Sequence, residues 1–335
     1  MNRSLYITLL LMPLLLPALT ACTDGTDPLP TPAAHPRFVL QQTVQTRVTY
    51  PTDSYTQSLF EGGEVLGAFA LDNNNTLVTD ARSNARYIVT QEGSNLTLTP
   101  EFPQDAFPAD ASYTYIFYYP YKEGTEFDDV THLVEADQRA QTWTDADGQV
   151  QTTHARYENS DLLWDAAQGT DITTGTDGGL TVNVAMDHAM ASIVLEVPTE
   201  MMHTDAGQPW AQILNIKSLV AGINLLEESS ENPTGNMETV LSQDIYMWLF
   251  GTKEIEGKQM HVYRAAIPAQ TITNGTEMFR IQGKDKELTY NAEFTGGSIS
   301  FKPGKYYRFT VTETGLRFAG LIEDLEDGGD HYYEY

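Results

Sequence analysis

Leu180-Thr181-Val182-Asn183-Val184-Ala185-Met186-Asp187-His188-Ala189-Met190-Ala191-Ser192-Ile193-Val194-Leu195-Glu196-Val197 is the stretch that decides the fold class. Leu180, Val182, Val184 and Met186 alternate with Thr181, Asn183 and Ala185, and Ile193, Leu195 and Val197 repeat the spacing. A strand sends successive side chains to opposite faces, so this period of two sets one face on a core. The pattern recurs outward in both directions. Leu96 and Leu98 alternate with Thr97 and Thr99, after the β-prone run Tyr87 to Thr90 and the turn Glu92-Gly93-Ser94. Tyr307, Phe309 and Val311 face one way, while Arg308 and Thr310 face the other. Turn chemistry separates such runs at Asp72-Asn73-Asn74-Asn75, Asp145-Ala146-Asp147-Gly148, Asp177-Gly178-Gly179 and Asn274-Gly275. Helical spacing is confined to short pieces, Thr199 to Thr204 and Leu162 to Ala167. The expected fold is all-β, with two tandem antiparallel β-sandwiches.

The N-terminus has a different character. Arg3 precedes an almost unbroken apolar run from Leu5 to Leu19, and Leu19-Thr20-Ala21-Cys22 closes it. This layout resembles the bacterial lipoprotein signal, in which cleavage exposes the cysteine for acylation. Cys22 is the single cysteine of the chain, and its sulfur and freed amine are the expected attachment points. Pro13 and Pro17 interrupt a segment shorter than the roughly 20 residues a spanning helix needs. Several acyl chains at about 0.8 kcal/mol per buried methylene hold a protein on a bilayer. Residues 22–36 are rich in Pro, Thr, Asp and Ala and read as a tether.

Composition narrows the function classes. Loss of residues 1–21 leaves 18 basic against 46 acidic residues, a net charge near -28. A surface of that sign repels phosphate backbones, so nucleic acid is excluded as a partner. Hydrophobic residues at 41% and 18 tyrosines exclude disorder despite the charge. With no cysteine besides Cys22, the fold has neither an intramolecular disulfide nor a thiolate metal site. The break between sandwiches is expected near Trp164 to Gly175, giving residues 37–165 and 166–335.

A search for chemistry yields no catalytic motif. The chain has no Gly-x-Ser-x-Gly elbow, no His-Glu-x-x-His and no phosphate-cradling glycine loop. No enzyme activity, cofactor or metal is expected. His188 lacks a second histidine at i+2 or i+4, and reads as a structural histidine between strands, bonded to a backbone carbonyl. Asp145-Ala146-Asp147-Gly148 has the start of a calcium loop, but Arg156 stands where the twelfth-position glutamate belongs, so it reads as a hairpin turn. Glu323, Asp324, Glu326 and Asp327 read as a solvated surface.

Several segments, in order, resemble those of the fimbrillin family, the subunits of type V pili and related surface lipoproteins. Phe60-Glu61-Gly62-Gly63-Glu64-Val65-Leu66-Gly67-Ala68-Phe69 is similar to an early strand, and Tyr115-Ile116-Phe117-Tyr118-Tyr119-Pro120-Tyr121 to an aromatic one. Ser160-Asp161-Leu162-Leu163-Trp164 resembles the link before the second domain, and His188-Ala189-Met190-Ala191 its characteristic strand. Ile267-Pro268-Ala269-Gln270 and Pro303 to Val311 resemble two late strands. The resemblance implies transthyretin-like sandwiches, cell adhesion, and a place at the outer membrane, the cell surface or a fimbrium. It also implies removal of an N-terminal segment by an arginine-specific protease, then entry of a neighbouring subunit's strand. The candidate strand is Arg37 to Val48, with Arg47 and Arg37 as candidate cleavage points. The implied partners are other pilus subunits by donor-strand pairing, the outer membrane through acyl chains, and a host or bacterial surface ligand. Leu316 to Leu325 is apolar enough to pair with another chain or to complete its own sheet. The alternative is a glycan-binding or glycan-cleaving surface lipoprotein. That reading requires Trp143, Trp210 and Trp248 on one concave face beside two carboxylates.

Overall fold

The computed structural model describes residues 35–41, 60, 62–79, 81–144, 148–153, 155–203, 209–226 and 238–322. Cys22, Arg47, the signal and the tail beyond residue 322 lie outside the described residues. The chain is built almost wholly of strands, as the alternation predicts. The first five are β1 (Arg37–Leu40), β2 (Val65–Leu71), β3 (Ala85–Glu92), β4 (Asn95–Pro100) and β5 (Thr114–Tyr119). They belong to a nine-stranded sheet. Its order is Ile172–Thr174, Leu180–Val184, β1, β4, β3, β2, β5, Leu163–Ala167, Asp187–His188.

One face of this sheet gathers Phe38, Leu66, Ala68, Tyr87, Val89, Leu98, Tyr115, Phe117, Val182 and Val184 into a single core. Three strands separate β1 from β5 in the sheet, yet the Phe38 ring sits 5.2 Å from that of Tyr115 and 4.9 Å from that of Phe117. Such contacts require the sheet to curl until β1 and β5 face each other, which a twisted sheet of this size does readily. The alternating Tyr115, Phe117 and Tyr119 are core residues. Strands that follow residue 165 (Ile172–Thr174, Leu180–Val184 and Asp187–His188) hydrogen-bond into this same sheet.

The opposite face of β2 and β5 offers Phe69, Leu71, Ile116 and Tyr118 to a second, larger core. Two five-stranded sheets supply the rest of it. One runs Trp248–Ile255, Lys258–Ile267, Ala191–Pro198, Tyr306–Thr312, Gly315–Ile322. The other includes Glu238–Tyr246, Ala211–Ile223, Glu277–Gln282 and Glu287–Asn291, with Val130–Leu133 added against Ala211–Ile223. Phe279 of the second meets Phe309 of the first with ring centroids 5.2 Å apart, the mark of sheet on sheet. Ile193, Leu195 and Val197 point into this core, as do Tyr307, Phe309 and Val311.

Two local expectations are corrected. Leu163–Ala167 is a strand between β5 and Asp187–His188, not a helix, because Leu163 and Ala167 enter one core while Trp164 and Ala166 enter the other. A two-sided burial of that kind suits a strand and defeats a one-sided helical stripe. Among the described residues the α-helix that forms is Ala155–Ser160, which the spacing did not reveal, and Thr199–Met201 is a single 3-10 turn. Of the C-terminal segment, Gly315–Ile322 pairs antiparallel with Tyr306–Thr312 at the edge of its sheet, and residues 323–325 lie outside the described residues.

Gly67 shows why the early strand carries glycine. It stands opposite Tyr118, whose ring lies across it, so a Cβ at this position would fall inside that ring. The Tyr118 hydroxyl also donates to Asn84 Oδ1 at 2.8 Å. Gly67→Ala must expel the ring and break that bond. The expected loss is about 2–3 kcal/mol, measured by urea unfolding; an unchanged midpoint contradicts this packing.

Candidate site: the seat of the first strand

β1 is only four residues long, yet it occupies an interior position. On one side Phe38, Val39 and Leu40 stand opposite Leu98, Thr97 and Leu96 of antiparallel β4. On the other side Arg37 to Leu40 run parallel to Thr181 to Val184. A strand held this way has its backbone donors and acceptors satisfied by two neighbours. Withdrawing it opens two sheet edges at once.

Its side chains alternate as its pairing demands. Phe38 is 2% exposed, inside a cage of Tyr87, Phe107, Tyr115 and Phe117. All four contacts are edge-on, the favoured geometry for aromatic pairs. Leu40 is buried beside it. Burial of two such side chains contributes about 3–6 kcal/mol before entropy is counted. Beyond the strand, Gln41 N–H donates to Val184 carbonyl at 2.7 Å, and Gln41 Nε2 donates to Asn183 Oδ1 at 2.8 Å.

Arg37 lies at the strand's first position. Its guanidinium meets Glu92 Oε2 at 2.9 Å with both side chains about half exposed, an arrangement worth less than about 1 kcal/mol. A cut after Arg37 leaves Phe38 and Leu40 joined to the chain that follows them.

The parallel neighbour of β1 is tied down by Asp165. Its Oδ2 accepts the Ala185 N–H at 2.7 Å. Burial pushes the Asp165 carboxyl up to about 7, against the opposing pull of that hydrogen bond. The unfolded carboxyl ionises near 4, so between about pH 4 and 7 the folded chain holds the extra proton and stability falls as pH rises. Asp165→Asn keeps an acceptor and removes the charge. We expect it to raise stability by about 1–2 kcal/mol at pH 8, a value reduced for partial exposure, and to have no effect near pH 3.5. Thermal melts of both proteins across that range are the check; equal pH profiles contradict it.

His188 has a partner that sequence reading missed. Its Nδ1 lies 2.8 Å from Asp161 Oδ2, both side chains buried, so a carboxylate is among its partners. Strand pairing brings the two together, since Asp187–His188 pairs with Leu163 and Trp164 just after Asp161. The tryptophans are dispersed in environment. Trp248 is 4% exposed against Tyr157, Trp210 is half-buried against Tyr246, and Trp143 lies on hairpin strand Gln141–Thr144. The strands flanking Asp145 to Gly148 pair antiparallel, from Gln141 opposite Thr153 to Thr144 opposite Val150.

The fimbrillin-like family model matches residues 46–324. This chain belongs to the fimbrillin-like family. Solved structures of the same fold include a candidate cell adhesion protein from Bacteroides uniformis, 15% identical, with a TM-score of 0.52 over 85% of this chain and 96% of that one. A second, from Bacteroides ovatus, is 15% identical with a TM-score of 0.54 over 87% of this chain and 100% of its own. At these identities the likeness shows the fold. No curated protein matches the chain in sequence. Membership of the fimbrillin-like family supports a fimbrial, adhesion-type role, a structural rather than catalytic one, and a place at the cell surface.

Proposed function

We propose that this fimbrillin-like protein is a pilus subunit, tip or accessory component that assembles by exchange of its first strand. The observation that carries the reading is the seat of β1: a four-residue strand, interior to the sheet, filling an aromatic cage. Arg47 falls in the chain between β1 and β2, so a cut after it severs β1 from every later strand. A neighbour's strand then finds two open edges and a pocket for alternate side chains, the requirements of β-strand addition. Cys22 is acylated, and delivers the precursor to the outer membrane before the cut. Arg47 suits this role better than Arg37, because a cut after Arg37 leaves the cage filled.

Mass determination of the protein from its native envelope tests the proposal. A mature species starting at Val48 is expected, with its acylated Cys22 segment released, and Arg47→Ala is expected to accumulate the lipidated precursor. A surface population that retains residues 22–47 throughout overturns strand exchange by this route.

A further inference from the structure

Strand Ala191–Pro198 is buried on both of its faces. Ile193, Leu195 and Val197 enter the main core, whereas Val194 joins Val262 and Tyr306 in a separate cluster on the opposite face. These three are 2%, 0% and 3% exposed. Arg264 stands opposite Val194 on the same face, also 0% exposed, with its guanidinium 4.1 Å from the centre of the Phe250 ring. Lys253 Nζ lies 5.3 Å from that ring. Among the described residues, the apolar side chains packed against the cluster are Phe250 and Ile255, both on edge strand Trp248–Ile255. Tyr306 stands three strands from that edge, about 14 Å at the usual strand spacing and beyond the reach of either side chain. Tyr157 meets Ser192 at one end of the face, at 3.3 Å, but its ring belongs to the main core.

The chain itself carries a matching cover. Gly315–Ile322 forms the other edge of this sheet, and Ile322 stands opposite Tyr306. Residues 323–335 therefore leave the sheet beside Lys305, Tyr306 and Arg308. These thirteen residues reach up to about 43 Å when extended, whereas about 14 Å separates Gly315–Ile322 from the strand of Arg264. Their composition suits the face in both charge and apolarity. Glu323, Asp324, Glu326, Asp327, Asp330 and Glu334 are negative, and no lysine or arginine accompanies them. Leu325, Tyr332, Tyr333 and Tyr335 supply the apolar part. On the face, Arg264, Arg308 and Lys253 outnumber Glu196, whose oxygens are held by Arg308 and Thr310. A guanidinium as deep as Arg264 is kept beside opposite charge, because uncompensated burial of an ion is costly. The far end of the face, near Met260, carries Glu200, Glu256 and Glu313 beside Lys258 and Arg317. The acidic run Glu323 to Asp327 thus fits the near end.

We infer that residues 323–335 fold back over this outer face in cis, with Glu323, Asp324, Glu326 and Asp327 on Arg308 and Arg264, and Tyr332 and Tyr333 against Phe250. The segment is a cover for its own sheet. It keeps an apolar, cationic face out of solvent, where such a patch is a surface for association. Its contacts run to side chains on a face, not to backbone groups at an edge, so the inference is independent of strand exchange by β1.

Carbodiimide cross-linking of the uncut chain, residues 22–335, is the test, with the new amide bonds located by mass spectrometry. Lys253 should couple to Asp330 or Glu334 about 10-fold more than Lys217 does, because a docked segment has a high local concentration. Lys217 is the comparison because it is exposed on strand Ala211–Ile223 of the other sheet. In a mixture of isotope-labelled and unlabelled chains, each coupled pair should carry a single label. The combined variant Glu323→Gln, Asp324→Asn, Glu326→Gln and Asp327→Asn leaves Asp330 and Glu334 reactive. It should lower Lys253 coupling about 5-fold through loss of charge-assisted contacts, with circular dichroism unchanged. Equal coupling at Lys253 and Lys217 overturns the assignment, as does no coupling at Lys253, coupling between differently labelled chains, or unaltered coupling in the amide variant.

Discussion

Phe38→Ala is expected to lower the unfolding free energy of the intact chain by about 3–5 kcal/mol, the range for removing a buried phenylalanine with incomplete collapse of its cavity. Four rings surround the Phe38 side chain, and their edge-on packing adds to the area that burial withdraws from water. The cage walls are on different strands, Tyr87 on β3 and Tyr115 and Phe117 on β5, so collapse into the cavity is resisted by two separate backbones. Urea unfolding provides the measurement. A loss under 1 kcal/mol means that β1 does not hold the first core together. The same number bears on function, because a strand that must leave has to be replaced by another with an equally good occupant for the cage.

Glu196→Ala should cost a comparable 3–5 kcal/mol, for electrostatic reasons. Glu196 is 0% exposed within strand Ala191–Pro198. Its Oε1 accepts from Arg308 Nε and its Oε2 accepts from Thr310 Oγ1 at 2.8 Å. Both partners sit on the adjacent parallel strand, with Glu196 opposite Thr310 and Val194 opposite Arg308. Truncation strands the Arg308 guanidinium, whose side chain is 15% exposed, without its counter-ion. Glu196→Gln, which keeps both oxygen-side and shape features in part, should lose less. Thermal and urea unfolding of the pair decide it; equal stability of Glu196→Ala and wild type refutes a structural role for this ion pair.

Much of this architecture was legible because alternation reports directly on which face is buried. Leu180, Val182 and Val184 go into the core on the expected side, and Arg308 and Thr310 point away from Tyr307, Phe309 and Val311. The glycine at 67 finds its reason only in the structure, where the Tyr118 ring leaves no room for a Cβ. Alternation says nothing about what lies over the polar face, so it does not reveal that Arg308 and Thr310 seal Glu196 in. Nor does it say which sheet a strand joins. Leu180–Val184 runs parallel to β1, about 140 residues earlier in the chain, a pairing of high sequence separation that no local pattern encodes. The partnership of His188 with Asp161 escaped for the same reason, since the two are brought together by strand pairing. The resemblance of ordered motifs located the family, whereas the cage around Phe38 became visible only once the sheet was seen to curl.

The central claim is that β1 is a removable part of the fold, and one measurement addresses it most directly. The uncut chain, residues 22–335, is cut with an arginine-specific protease and mixed with an isotope-labelled, equally cut copy. Native mass spectrometry then follows the segment that carries Phe38. The account predicts that this segment is lost and that mixed multimers containing both isotopes take its place. Monomers that keep the cut segment bound, with no mixed species at any concentration, contradict it.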